Sequence, residues 1–295
     1  MRGFQIGLAT ASAAMLAACA GDASKVFIAE PGQVAYIRFV NAVPDSGGQD
    51  WRFVDAIEGS PTTFSLTFRG IFPGTSYQSA TAGSRHLRIF QSVTDPTFSD
   101  PTKTTPALVS TVFIDSTFTL GAGKHYTIMA VGNLRAPRTA KFVVLEDNYA
   151  DPATSVALRA VNTGLTAALD VYGSPTGGTA ALPASPLAAA LATYAASPWV
   201  TMATGALALR ANIAGSTTLP ALVDATAPAG VAADRTLNLT AIGGSTIAGT
   251  AFTAFFFPPA VVGSLAANVV VGTCPTRCTT PGVVYAVDRY PPSGF

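Results

Sequence analysis

The stretch that decides the fold reads VAYIRFVN and runs from Val34 to Asn41. Its apolar and polar residues nearly alternate, which is the pattern of a β-strand that is half buried. Similar stretches follow at residues 85–90, 109–114, 125–131 and 140–145, with Pro- and Gly-rich turn sequences at 44–48, 73–74 and 121–124. Short strands at regular spacing, separated by turn signals, predict an all-β protein built as a sandwich.

The second half of the chain repeats the first. IRFVN at residues 37–41 is matched by LRAVN at 158–162, and residues 83–88 are matched by 205–210 at nearly the same offset. The same scheme aligns 116–120 with 235–239 and 141–145 with 253–257. The repeat predicts two copies of one β domain. The joint falls in residues 146–152, which are too few for a long flexible linker, so we expect the copies to pack on each other or to sit at a restricted angle.

One region departs from the strand pattern. Residues 182–196 are rich in Ala and Leu, which favours a short helix, but Pro183, Pro186 and Pro198 limit its length. A loop or a short helix is expected here.

Composition narrows the class of protein. Only 11% of the residues are charged and the net charge is +1, which argues against a nucleic-acid partner. The hydrophobic fraction of 49% is spread among Thr, Ser, Gly and Pro. The longest apolar runs after the N-terminal segment, 251–262 and 265–271, are too short and too interrupted to span a bilayer. This balance is typical of an exported β-rich protein.

The N-terminal segment indicates where the protein resides. An uncharged apolar run from Phe4 to Ala18 ends in Leu-Ala-Ala-Cys, and this resembles a bacterial lipoprotein signal. The resemblance implies cleavage before Cys19 and lipidation of Cys19, with the membrane as a partner through the lipid anchor. Ala20 in the next position resembles the pattern of lipoproteins sent to the outer membrane. The alternative is an ordinary secretory signal in which Cys19 is incidental.

Two further cysteines, Cys274 and Cys278, are close enough in sequence for a local disulfide in an oxidising envelope compartment. The alternatives are a redox pair or half of a metal site. No other Cys and no nearby His completes a ligand set, so the sequence predicts neither a metal site nor a cofactor.

Candidate chemistry elsewhere is sparse. Gly121–Lys124 lacks the spacing and the following helix of a phosphate-binding loop, so it is interpreted as a hairpin turn. His86 and His125 are expected on strand surfaces, although a Ser-His-Asp set stays open. The acidic residues 147–151 are interpreted as a solvated linker, with a calcium site as the alternative. The aromatic run Phe255–Phe257 predicts burial between the two copies or contact with a partner.

At four places the chain resembles the DUF4397 family, a domain of unknown function found in bacterial envelope and secreted proteins. They are the Arg-x-Val-Asn strands at 38–41 and 159–162, LDVYG at 169–173, and the hairpin at 120–132. The first copy departs from Asp-Val-Tyr, having Asp50-Trp-Arg, and the second copy lacks the hairpin. The resemblance covers most of residues 34–260 and implies immunoglobulin-like sandwiches without an established catalytic role.

These observations predict two tandem immunoglobulin-like β-sandwiches behind a cleaved lipoprotein signal. The predicted segments are the signal at 1–18, a tether at 19–32, the first domain at 33–148, the second domain at 149–272, and a C-terminal tail at 273–295 that holds the disulfide. The predicted function is that of a non-enzymatic, lipid-anchored envelope protein of the outer membrane, which acts as a binding or structural module for an envelope protein or glycan. The alternative function is an envelope hydrolase acting on polysaccharide or peptide.

Overall fold

The computed structural model describes residues 33–55, 62–74, 76–92, 112–149, 151–264, 266 and 278–291. In these ranges the chain forms seventeen β-strands and no α-helix, which confirms the all-β prediction. In the same part of the chain, nothing helical has the length and apolarity needed to cross a membrane.

The first half of the chain contributes nine strands to two sheets. They are β1 (Val34–Asn41), β2 (Gln49–Phe53), β3 (Thr63–Leu66), β4 (Ile71–Phe72), β5 (Gln78–Thr81), β6 (Gly83–Gln91), β7 (Val112–Leu120), β8 (His125–Val131) and β9 (Lys141–Glu146). The first inner sheet has the order β4-β1-β8-β9, with β5 also paired to β1, and the first outer sheet has the order β3-β2-β6-β7.

The second half contributes eight strands to two more sheets. They are β10 (Val156–Asn162), β11 (Leu169–Ser174), β12 (Ala188–Leu191), β13 (Val200–Met202), β14 (Ala208–Ile213), β15 (Val223–Thr226), β16 (Ala251–Phe257) and β17 (Gly282–Arg289). The second inner sheet has the order β13-β10-β16-β17, and the second outer sheet has the order β12-β11-β14-β15.

The centre of each inner sheet is a parallel pair, β1 with β8 and β10 with β16. Parallel neighbours cannot be joined by a tight hairpin, so the chain must leave the sheet between them. In both halves the intervening residues supply the antiparallel outer sheet, and the last strand returns as a hairpin partner of the parallel pair.

Alternation along the strands divides the apolar residues between two faces of each inner sheet. From β1, Ile37 and Phe39 enter the core shared with the first outer sheet, where they pack with Trp51 of β2 and Leu87 of β6. In the second half, Leu158, Phe252 and Phe256 enter the equivalent core with strands β11 and β14.

The opposite faces of the two inner sheets pack on each other. Val40 and Met129 from the first half meet Val161, Phe255 and Phe257 from the second half in a third hydrophobic core. All five side chains are fully buried. Burial of each phenylalanine contributes roughly 1.5–3 kcal/mol. The sheets therefore stack in the order outer, inner, inner, outer. The predicted burial between the halves is confirmed for Phe255 and Phe257, whereas Phe256 lies in the core of the second half.

The register of the strands corrects two of the predicted sequence matches. Residues 253–257 lie in β16, which occupies the place of β8, whereas 141–145 lie in β9, whose counterpart is β17. Residues 235–238 form a turn and Leu239 pairs with Asp234 across it, so this segment is not a strand of the sheet, and the counterpart of β7 is β15. The second half joins β15 to β16 by a long connection where the first half joins β7 to β8 by a short turn. Matching by apolar pattern alone therefore paired β16 with β9, the neighbour of its true counterpart.

Two segments also differ from their predicted structure. Within residues 182–196, Ala188–Leu191 form β12 instead of a loop or a short helix, because they pair with β11 along the edge of the outer sheet. Within the predicted C-terminal tail, Gly282–Arg289 form β17, which pairs along the whole length of β16. The tail therefore contributes a strand to the second inner sheet.

Candidate functional site

The motif Arg-x-Val-Asn places one arginine in the middle of each inner sheet. Arg38 lies on β1 between Ile37 and Phe39, so its side chain is on the face opposite theirs, toward the second half. Arg159 occupies the same position on β10. Both guanidinium groups are buried, with side chains 1% and 3% exposed. Buried charges at this depth require charged partners.

Each arginine is neutralised by a carboxylate from the other half. Arg38 Nη2 donates to Asp288 Oδ1 at 2.6 Å, and Arg159 Nη2 donates to Asp147 Oδ1 at 2.5 Å. Asp147 follows β9 directly, and Asp288 lies at the equivalent place near the end of β17. Neither aspartate side chain is exposed. The ion pairs therefore cross between the halves, and we call these four residues the crossed charge network.

A threonine in each half links the charges. Thr127 Oγ1 accepts from Arg38 Nη2 at 2.8 Å and donates to Asp147 Oδ2 at 2.6 Å. Thr253 occupies the equivalent place in the second half and makes the equivalent contacts. Each threonine hydroxyl thus accepts a hydrogen bond from an arginine and donates one to an aspartate. These are the additional hydrogen bonds that a buried ion pair needs.

Tyr77 lies between the two carboxylates. Its hydroxyl oxygen is 2.8 Å from both Asp147 Oδ2 and Asp288 Oδ1, and because it carries one proton it donates to one of them at a time. Burial and the charge of Asp288 raise the pKa of Tyr77 well above its ordinary value of 10.0. Burial alone would lower the pKa of Arg38, but the neighbouring carboxylates outweigh it and the pKa is raised. Arg38 and Tyr77 therefore keep their protons across the physiological range.

Aromatic rings cover the arginines on the remaining sides. Arg38 Cζ lies 4.8 Å from the ring centre of Tyr77 and 5.3 Å from that of Phe255. Arg159 Cζ lies 4.8 Å from the ring centre of Trp199, which precedes β13 as Tyr77 precedes β5. Among the described residues, Arg38 Nη1 has no hydrogen-bond partner. Cation–π contacts with the two rings therefore stabilise this guanidinium group in addition to its hydrogen bonds.

A groove opens beside the network, where β8 begins and β9 ends. It has a volume of about 300 Å³ and is lined by Lys124, His125, Glu146, Asn148 and Tyr149 in addition to Gly123 and the edge of Asp147. Lys124 Nζ and Glu146 Oε2 form an ion pair at 2.9 Å. Burial lowers the pKa of His125, so this imidazole stays neutral near pH 7. The groove therefore offers mixed polar and aromatic contacts.

A second cavity lies at the opposite ends of the parallel strands. It has a volume of about 310 Å³, and its lining includes Pro44 and Asn133 from the first half and Leu165, Tyr194 and Pro258 from the second. No charged side chain lines it within the described ranges. A cavity of this size accommodates a small side chain or a sugar-sized group by shape and not by charge.

The two histidines are far from a complete catalytic set. His86 Nε2 contacts Asp115 Oδ1, and Asp115 Oδ2 accepts from Arg88 Nε at 2.8 Å. His125 instead stacks on Tyr36, with ring centres 4.7 Å apart. Across the described parts of the chain, neither imidazole is hydrogen-bonded to a serine hydroxyl. The predicted strand positions of both residues are confirmed.

Of the other predicted site residues, some lie within the described ranges and some lie outside them. Cys19 and Cys274 lie outside the described residues, so lipidation and the disulfide stay predictions. Cys278 is buried beside the core between the inner sheets. Within the ranges that the structure covers, no three His, Cys, Asp or Glu side chains converge as metal ligands. Gly121–Lys124 forms the β7–β8 turn, as predicted.

Sequence reasoning missed the crossed charge network. It treated Asp147 as part of a solvated linker, which is wrong because the side chain is buried against Arg159. The available signal was the arginine that recurs at the same place in two strands whose other residues are mostly apolar. Asp288 was missed because its strand, residues 282–289, was assigned to the predicted C-terminal tail and not to the second domain.

The fold and the buried site define an all-β protein whose two inner sheets share charges across their contact. Residues 35–172 match the family model described as Domain of unknown function (DUF4397). The matched range begins in β1 and ends in β11, so it extends beyond the first half into the first two strands of the second. No curated protein matches the chain. The match supports the domain and does not bear on chemistry.

Proposed function

We propose that this protein is a non-enzymatic, lipid-anchored protein of the bacterial cell envelope, made of two tandem immunoglobulin-like β-sandwiches that act as one rigid binding or structural module. The first sandwich corresponds to residues 33–148. The second begins at 149 and takes its last strand from 282–289.

The observation that carries the proposal is the crossed charge network, together with the apolar core around it. Separating the halves would expose Val40, Phe255 and Phe257 and would leave Arg38 and Arg159 each without its carboxylate. Exposure of these apolar side chains makes such a separation unfavourable, by roughly 1.5–3 kcal/mol for each of them. The halves therefore hold one relative orientation, which suits a spacer or a scaffold that presents its end loops to an envelope protein or a glycan.

The anchor is tested by metabolic labelling with a palmitate analogue in a bacterial host, followed by membrane fractionation. Wild type is expected to take up the label and to sediment with membranes, whereas Cys19→Ala does neither. Cys278→Ala is the matched control, because it removes a cysteine that the proposal leaves unlipidated. Equal labelling of wild type and Cys19→Ala, or a wild type without label, would contradict the anchor.

The alternative function is an envelope hydrolase, and the contact between His86 and Asp115 favours it. If this pair served as base and orienting acid, purified protein would hydrolyse cell-wall polysaccharide or peptide, and His86→Asn would abolish that activity while His125→Asn would not. Under the proposal, neither wild type nor either variant releases product, and release that depends on His86 would overturn it.

A further inference from the structure

The long connection between β15 and β16 carries an exposed apolar hairpin. In the first half the equivalent connection is only the turn 121–124, whereas in the second half it spans residues 227–250. Within it, Val231, Leu237, Leu239 and Ile242 are each 54–65% exposed. We call residues 228–247 the apolar hairpin.

The hairpin is held in a defined shape. Val231 and Ile242 exchange two backbone hydrogen bonds at 2.8 and 3.0 Å, and Asp234 and Leu239 exchange two more at 2.9 Å. At the base, a Cβ on Gly230 would lie 2.6 Å from Ile242 O, so the two backbone segments are in close contact. The apolar side chains are thus presented to solvent by an ordered backbone, which is an arrangement that marks an interaction site.

The tip is also electrically neutral overall. Asp234 and Arg235 are the only charged residues in the hairpin. Asp234 Oδ1 accepts from the backbone N–H groups of Thr236 and Leu237 at 2.8 and 3.2 Å, so the carboxylate is used within the turn. The tip thus has no net charge with which to recognise a charged partner, and its exposed Leu237 and Leu239 suit an apolar one, such as the interior of a lipid leaflet.

The position of the hairpin agrees with such a partner. The hairpin leads into the start of β16, the counterpart of β8, whereas the tether at 19–32 leads into the start of β1 beside the same end of β8. Asp288 pairs with Arg38 of β1, and the next residue, Arg289, lies opposite Ala251 at the start of β16 and donates to Gly249 O just after the hairpin. The tether and the hairpin therefore enter the inner sheets at ends that lie against each other.

Chain length sets the reach of the anchor. Residues 20–32 between the lipid-bearing Cys19 and the first described residue span at most about 43–47 Å when fully extended. That limit lets the end of the molecule that carries the hairpin rest on the bilayer to which Cys19 is attached. We infer that the apolar hairpin inserts its tip into the lipid surface and gives the anchored protein a second, non-covalent membrane contact. This inference rests on the proposed lipid anchor.

The test uses the full-length acylated protein in vesicles of phosphatidylethanolamine and phosphatidylglycerol. A Leu237→Trp variant reports on the tip, and a Phe64→Trp variant, at an exposed position on β3, is the matched control. Brominated lipid chains quench tryptophan that enters the leaflet. We expect at least about half of the added fluorescence at the tip to be quenched and less than about a tenth at the control. Added salt should change neither value, because the tip carries no net charge.

The outcomes separate the hairpin from the anchor. Protein that fails to sediment with the vesicles would overturn both the anchor and the inference. Protein that sediments but shows equal quenching at both reporters would overturn the inference alone. Single copies in lipid nanodiscs distinguish lipid from a second protein copy: quenching that persists supports lipid contact, and quenching that disappears overturns it. In a Leu239→Ser, Ile242→Ser background, quenching of the tip reporter should fall by about half or more.

Discussion

Asp288→Asn is the most direct test of the crossed charge network. Asp288 accepts from Arg38 at 2.6 Å, from Thr253 at 2.8 Å and lies 2.8 Å from the Tyr77 hydroxyl. After the substitution the nearest carboxylate to Arg38 is Asp147, whose oxygen is 3.6 Å from Nη2 and which already pairs with Arg159. One buried positive charge is left without a full partner.

The expected cost follows from that unpaired charge. Removing one partner of a buried ion pair costs about 3–5 kcal/mol. At about 1.4 kcal/mol for each tenfold change, the unfolding equilibrium constant rises by about two to three and a half powers of ten. The control is Asp151→Asn, which removes the carboxylate that pairs with Arg289 at 2.7 Å but is 62% exposed. That exposed pair contributes less than about 1 kcal/mol.

The assay is urea unfolding followed by tryptophan fluorescence. The two tryptophans report on different places, since Trp51 lies in the core of the first half and Trp199 lies against Arg159. Although Asp288 belongs to β17, the transition seen by Trp51 should also move to lower urea. Arg38→Met combined with Asp288→Asn should recover at least half of the loss, because no unpaired charge then stays buried. A loss no larger than that of Asp151→Asn, or a Trp51 transition that does not move, would refute the reasoning.

Three smaller perturbations test other parts of the structure. Burial holds the pKa of His125 below 6.5, so the imidazole takes up a proton in the unfolded chain at a higher pH than in the folded one. The free energy of unfolding should therefore be unaffected by this residue above about pH 6.5 and should decrease as the pH falls below it. In His125→Gln, unfolding measured across the same pH range should lack this decrease. Gly132→Ala would place a Cβ 2.6 Å from Thr139 O at a φ of +86°, so it should lower the melting temperature by several degrees. Gly205→Ala is the control, because a Cβ there would have no atom within 4 Å and should change the melting temperature little. Similar changes in the two variants would contradict the tight turn at Gly132. For the predicted disulfide, intact mass before and after reduction should differ by two hydrogens, and Cys274→Ser should remove the difference; a native protein that reacts fully with a thiol reagent would exclude the bond.

The strands that alternate most clearly were predictable, and so was their fold class. β1 and β10 could be matched because IRFVN and LRAVN keep the same order of apolar and polar residues, and the register of the strands agrees. Asp170 of LDVYG was also informative. Its carboxylate accepts from Ala190 N at a φ of 47°, and Asp50 makes the same contact with Ser65 N at a φ of 48°, although their neighbours differ.

The parts that could not be predicted depend on pairing between distant segments. Ala188–Leu191 is apolar enough for a helix, and only its place beside β11 makes it a strand. The role of Asp147 depends on Arg159 and that of Asp288 on Arg38, which is 250 residues away in the chain. Local periodicity shows that an arginine lies within a strand, but it does not show that the facing surface belongs to the other half of the same molecule.

The crossed pairing also fixes an order of events during synthesis. The chain is made from its N-terminus, so Arg38 is present long before Asp288 emerges at the other end of the sequence. A nascent chain that already has β1 through β9 can form its own apolar core, yet the face with Arg38, Val40 and Met129 still lacks the second-half side chains that pack on it. The first half therefore stays incomplete until β17, which carries Asp288, has been made.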